Sequence, residues 1–120
     1  MKDSSELYLK ARQMMDEGKL EDAIILFEQS ISHYPHFKSL ELLGECFSRL
    51  NRLSEAIVPL AAATSLNKGV RAPSLLAEVF LRLKEYWQAR ETAEIDLSRE
   101  PHNRTAQRTR KIAIEMIGED

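Results

Sequence analysis

At 120 residues, with 43% apolar and 30% charged side chains, the chain has the make-up of one globular domain and lies far from the disordered regime. A formal net charge of −2 supplies no global field for nucleic acid or an anionic membrane. The single cysteine, Cys46, excludes an intramolecular disulfide and suits a reducing compartment.

The start, Met1-Lys2-Asp3-Ser4-Ser5-Glu6, lacks the apolar segment of a signal peptide. No run approaches the roughly 18 apolar residues of a membrane-spanning helix, so a cytoplasmic address is expected. Residues 4–17 read as a helix, with Leu7, Ala11 and Met14 on one face and Ser4 or Ser5 as the N-cap. Gly18 ends it. A second helix, 20–32, turns Leu20, Ala23, Phe27 and Ile31 inward and stops at Tyr34-Pro35-His36.

The same grammar follows twice more. A helix over 37–50 buries Leu40, Leu43, Gly44 and Phe47, and Asn51 takes the turn position. Ser54 is the expected cap of the next helix, which carries Ala56, Leu60 and Ala63 and is bent slightly, not broken, by Pro59 near its fourth or fifth position. Pro73 sits in the first turn of a fifth helix with Leu76, Ala77 and Phe80 inside. Its partner turns Tyr86, Ala89, Ala93 and Leu97 inward before Pro101. A last helix, about 104–117, follows an Asn103 cap. It opposes Ala106, Thr109, Ala113 and Met116 to a polar side of Arg104, Gln107, Arg108, Lys111 and Glu115, as a terminal cap on a stack requires.

Ala23, Ala56 and Ala89 recur every 33 residues, each preceded nine positions earlier by a large apolar residue, Met14, Phe47 or Phe80. Twelve positions after them stand Pro35, Lys68 and Pro101. A period in the range of about 20–50 residues marks a stacked repeat architecture. The units resemble the tetratricopeptide repeat (TPR), on Leu43-Gly44, Phe47, Asn51, Leu53, Ala56, Leu60 and Ala63 in the second unit. In the first the match rests on Leu7, Ala11, Met14, Gly18, Leu20, Ala23, Phe27, Ser30 and Pro35, and in the third on Leu76-Ala77, Phe80, Lys84, Tyr86, Ala89, Ala93 and Pro101. The resemblance implies an all-α, right-handed helical-hairpin solenoid, a single domain over 1–120. Its units would span about 4–36, 37–69 and 70–102, with a capping helix at about 103–117. Three departures stand out: Lys10 and Asp96 take usually apolar places, and Lys68 stands where proline is usual.

Stacks of this family present a concave groove lined by the first helix of each pair. By register the groove carries Tyr8, Arg12, Glu41, Glu45, Arg49, Ser74, Glu78 and Arg82, joined by Arg108 and Lys111 of the last helix. The implied role is a non-catalytic protein–protein interaction module, adaptor or co-chaperone-like, cradling a peptide or protein segment; a solvated face of mixed charge is the plain alternative. Some family members grip a C-terminal carboxylate with a lysine–asparagine clamp. The corresponding places here hold Tyr8, Arg12, Leu42 or Glu45, Arg71 and Leu75, which argues against a chaperone-tail receptor.

Trp87 follows the inward Tyr86 and so belongs on the outer side, either marking an interface or covering the last helix and rim, the reading preferred here. Arg104, Arg108 and Lys111 form, with Arg99 and Arg110, the one basic cluster. It is a secondary surface and the basis of an alternative reading as a nucleic-acid or phosphate binder. Self-association stays open. No cofactor and no metal are expected: Pro35 separates His33 from His36, and His102 occupies the turn of another unit. No motif assembles a base or an oxyanion site around Cys46 or any serine, so no enzyme is expected.

Overall fold

Among the described residues the apolar periodicity is realised as seven helices: α1 Ser4–Asp16, α2 Leu20–His33, α3 Phe37–Arg49, α4 Leu53–Leu66, α5 Arg71–Arg82, α6 Tyr86–Arg99 and α7 Arg104–Ile117. The structure, a computed structural model, describes residues 3–118. Residues 1, 2, 119 and 120 lie outside the described part, including the first two positions of the leader reading. Among the described residues there is no strand, and no helix is long and apolar enough to cross a membrane.

The helices pair in antiparallel hairpins, α1 with α2, α3 with α4 and α5 with α6, and α7 lies against α6 and α5. The stack is elongated, 56 × 25 × 21 Å. One turn geometry makes all three hairpins. The N–H of Lys19 donates to the Met14 carbonyl at 2.8 Å, that of Arg52 to Phe47 at 2.8 Å, and that of Glu85 to Phe80 at 2.9 Å. The residue before each donor is left-handed: Gly18 at φ 79°, Asn51 at 60° and Lys84 at 62°. This is the helix-ending motif in which an N–H reaches back past the last turn to an orphan carbonyl. Because the turn fixes the entry to the next helix, α2, α4 and α6 start without a side-chain cap.

The expected serine caps are therefore corrected. Ser54 lies inside α4, which begins at Leu53. Asp3, not Ser4 or Ser5, caps α1 by accepting from the Glu6 N–H at 2.9 Å. Ser4 turns instead to Ser30 on α2, a partner 26 residues away that no local pattern announces. Asn103 does cap α7, its side-chain oxygen accepting from the Ala106 N–H at 3.1 Å. Pro59 is the seventh residue of α4, later than expected, and the helix continues through it.

One core cluster runs from Ala11 and Phe27 through Cys46, Phe47 and Leu60 to Val79. At its centre α3 is buried continuously from Ser39 to Phe47. Gly44 makes this possible: a Cβ there would lie 2.4 Å from Leu60 Cγ, well inside contact distance. Burial raises the Cys46 thiol to about 11, which leaves it an inert apolar filler. Two inward assignments shift. Met15 takes the deep place and Met14 packs at the cluster's edge, a change of one step on the helix that flexible methionine accommodates. Met116 is exposed: it keeps the angular position of the buried Thr109 but lies in the last turn of α7, beyond Ala113, the last buried residue of the helix.

The odd-numbered helices form one wall, with α3 touching α5 and α5 touching α7, while no pair among α2, α4 and α6 packs comparably. In a curved two-layer stack the layer whose members touch is the inner one. The inner wall is thus α1, α3, α5 and α7, and the outer layer α2, α4 and α6.

Candidate partner-binding groove

The groove candidates all sit on the inner helices, but the structure sorts them into three groups. In the middle, α3 carries Glu41 and Glu45, only 5% and 6% exposed. Carboxylates this buried need partners. Lys38 Nζ approaches Glu41 Oε2 at 2.7 Å, and Arg49 Nη2 approaches Glu45 Oε2 at 2.5 Å. Arg71, at the start of α5, crosses to both, with Nε 3.2 Å from Glu41 Oε2 and Nη2 on Glu45 Oε1. The centre of the wall is therefore a five-residue ion cluster holding three cations and two carboxylates.

Arg71 is the residue that the sequence noted only as a clamp position, and both of its carboxylate partners come from the neighbouring helix. An incoming carboxylate would have to compete with Glu41 and Glu45 for it. Leu42 is in the core and Leu75 packs against the core, so neither offers a donor.

At the C-terminal end, Glu78, Leu81 and Arg82 of α5 face Thr105, Arg108, Thr109 and Ile112 of α7 across a cavity of about 400 Å³. This unites Glu78, Arg82 and Arg108. Arg82 is held in place across the wall, with Nη1 donating to Ser48 Oγ at 3.1 Å and Nη2 to Asn51 Oδ1 at 2.9 Å. Arg104 and Lys111 are exposed but do not line this cavity.

At the N-terminal end a cavity of about 420 Å³ is lined by Ser4, Ser5, Tyr8, Leu9, Tyr34, His36 and Ser39. Tyr8 stacks obliquely on Phe27, with ring centroids 6.1 Å apart, and its hydroxyl accepts from Arg12 Nη1 at 3.2 Å. Sequence reasoning missed Tyr34, His36 and Ser39 as wall residues. They enter because the Tyr34-Pro35-His36 turn folds back beside α1, and the turn itself was the available signal. His36 caps α3 through Nδ1, which accepts from the Lys38 N–H at 3.2 Å.

Ser74 leaves the groove. Its hydroxyl donates to Asp96 Oδ2 on α6, and Asp96 Oδ1 accepts from Asn103 Nδ2 at 3.2 Å. Asp96 is fully buried, and burial pushes its carboxyl above the ordinary range, with Glu100 adding to the effect and the Ser74 bond opposing it. The polar residue in a usually apolar place thus ties α5, α6 and the cap of α7 together, and it draws Ser74 inward to do so. Trp87 is 56% exposed on the first turn of α6, with the Arg90 guanidinium 5.7 Å from its ring centroid. It stands on α6, in the outer layer.

No protein-family model and no curated protein sequence matches the chain. Solved structures do match. The first TPR of Spaghetti (RPAP3), bound to HSP90 peptide SRMEEVD, superposes with a TM-score of 0.89 over 98% of this chain and 94% of that one, at 19% identity. The Sgt2 TPR domain of Aspergillus fumigatus gives 0.83 over 96% and 79%, at 21% identity. MamA gives 0.87 over 96% and 68%, at 24% identity. The chain has the fold of tetratricopeptide-repeat domains.

Proposed function

We propose that the chain is a non-catalytic, cytoplasmic protein–protein interaction module of three repeats, 4–36, 37–69 and 70–102, with a cap at 103–117. It binds an extended or helical peptide segment along the inner wall. The observation that carries this reading is the pair of cavities flanking the central ion cluster, each lined by inner-helix side chains. Glu78 and Arg108 at one end make no hydrogen bond or ion pair among the described residues. They offer both charges to a ligand with little reorganisation. A similar fold carries an HSP90 peptide in the RPAP3 structure. Here the engaged Arg71 favours internal segments bearing both charges over a free C-terminal carboxylate.

The test is capture from the native lysate by wild type and by Arg12→Glu/Glu78→Lys, with circular dichroism to confirm folding. The captured protein should be lost from the variant and should not be displaced by the SRMEEVD peptide. Equal capture by both chains overturns the groove assignment. The basic face of α7, with Arg104 and Lys111 free in solvent, keeps nucleic-acid binding as the second reading. Strong, salt-sensitive RNA or DNA binding by the wild type, lost in Arg104→Glu/Lys111→Glu, would establish it.

A further inference from the structure

The outer layer holds a second surface, which the groove reading does not use. α4 is apolar nearly all round, a pattern normal for an enclosed helix, yet it lies on the outside of the stack. Val58 is 75% exposed, and Ile25 on α2 and Leu66 at the end of α4 are more than half exposed in the same outer layer. Between α2 and α4 runs a groove of about 320 Å³, lined by Ile31, Leu40, Leu43, Val58 and Pro59, with Glu28 and Ser32 at its edge. The repeat supplies an internal control. One period further on, the places of Val58, Ala61 and Leu66 are held by Glu91, Glu94 and Arg99. The fold therefore tolerates charge at these positions and does not itself require the apolar face on α4.

Charge identifies the occupant. α2 and α4 together carry four carboxylates, Glu21, Asp22, Glu28 and Glu55, and no lysine or arginine. Arg52, just before α4, spans Glu21 and Glu55 at 3.2 and 2.7 Å; Glu28 feels the same guanidinium at longer range and makes no ion pair among the described residues. We propose that the α2–α4 groove is a docking site for a basic amphipathic helix of a partner protein. Its aliphatic side chains would enter between Ile31 and Val58, and its lysines or arginines would meet Glu28 at the groove's edge. An apolar floor supplies most of the affinity, and the acidic rim excludes acidic segments and anionic membranes.

The full chain is titrated by NMR with two synthetic helices that share leucines at i, i+3, i+4 and i+7. One carries lysine at the remaining positions and the other glutamate. The lysine helix should bind, with amide shifts confined to α2, α4 and the first half of α3. The glutamate helix should not bind. Val58→Lys, a change on an exposed side chain checked by thermal melting, should weaken binding at least tenfold. Glu28→Lys should weaken it less, and Arg108→Glu on the inner wall should leave it unchanged. Three results overturn the proposal: no binding of the lysine helix, equal binding of both helices, or shifts centred on α5 and α7. A wild-type chain that sediments as a dimer and becomes monomeric in Val58→Lys would assign the groove to a second copy instead.

Discussion

The second and third hairpins use the same repeat positions and fill them differently. In α3–α4, Gly44 faces Leu60, a place further on stands Ala63, and Phe47 is buried. In α5–α6 the corresponding residues are Ala77, Ala93, Asp96 and Phe80, with Phe80 only partly buried. The middle hairpin has a hairpin on either side, and at these repeat positions it is filled by apolar residues alone. The third meets a single helix, α7, and is tied by polar bonds instead. Asp96 links Ser74 to Asn103, and Arg99 donates to the carbonyls of Thr64, Asn67 and Gly69 at the end of α4. At the opposite end of the stack the same position is Ser30, bonded to the Ser4 backbone and hydroxyl. At this one repeat position, polar ties mark the two ends, Ser30 and Asp96, and alanine, Ala63, occupies the middle.

The largest expected break in this comparison is at the large aromatic position. Phe47→Ala should cost roughly 3–5 kcal/mol, the usual range for a buried phenylalanine, and a large share of a small domain's stability. Phe80→Ala, at the same register in the third hairpin, should cost clearly less because part of its ring is already in water. Urea denaturation followed by circular dichroism measures both. Equal losses would show that burial does not separate the hairpins.

Local features were legible in the sequence. The period of 33 marks the small residues at Ala11, Gly44 and Ala77 and the turns at Gly18, Asn51 and Lys84, because each recurs at a fixed place in the repeat. The turns need only their own chain neighbours, whereas the partner of Gly44, Leu60, lies across the hairpin. Long-range pairings were not legible. Register alone puts Ser74 in the groove; the bond that turns it away is to Asp96, 22 residues on. The grip of Arg71 on Glu45 spans 26 residues, and it turns two supposed ligand contacts into part of the wall. The wall's position was thus readable, but not which of its charges the fold had already used.

A finer test exchanges the paired residues between hairpins. Gly44→Ala alone forces a methyl against buried Leu60 and should destabilise by about 1–3 kcal/mol, only partly offset by alanine's better helix propensity. Leu60→Ala alone should cost about 2–5 kcal/mol through the cavity it leaves. Combining them reproduces the Ala77–Ala93 pair of the third hairpin. In the Leu60→Ala background, adding Gly44→Ala should be stabilising, a reversal of sign. Destabilisation in both backgrounds would mean that the glycine serves something other than the approach of α3 to α4.

The smallest effect concerns Asp96 and depends on pH. Its carboxyl holds its proton to higher pH in the folded chain than in the unfolded one, where it titrates near the ordinary value of 3.8, because burial disfavours the ionised form. The folded state therefore binds more protons than the unfolded state between those two values. Stability from this group is fully present below the unfolded value and is lost as pH rises through the folded one. Asp96→Asn retains both bonds, its carbonyl accepting from Asn103 and its amide donating to the Ser74 hydroxyl, without a buried charge. The variant should melt higher than wild type at neutral pH, and the gap should close as the solution is acidified toward the ordinary carboxylate range. Asp96→Ala should melt lower than wild type throughout, since it leaves both donors facing a void. Parallel melting curves for wild type and Asp96→Asn across that range would show that the carboxyl titrates normally and that its burial carries no charge penalty.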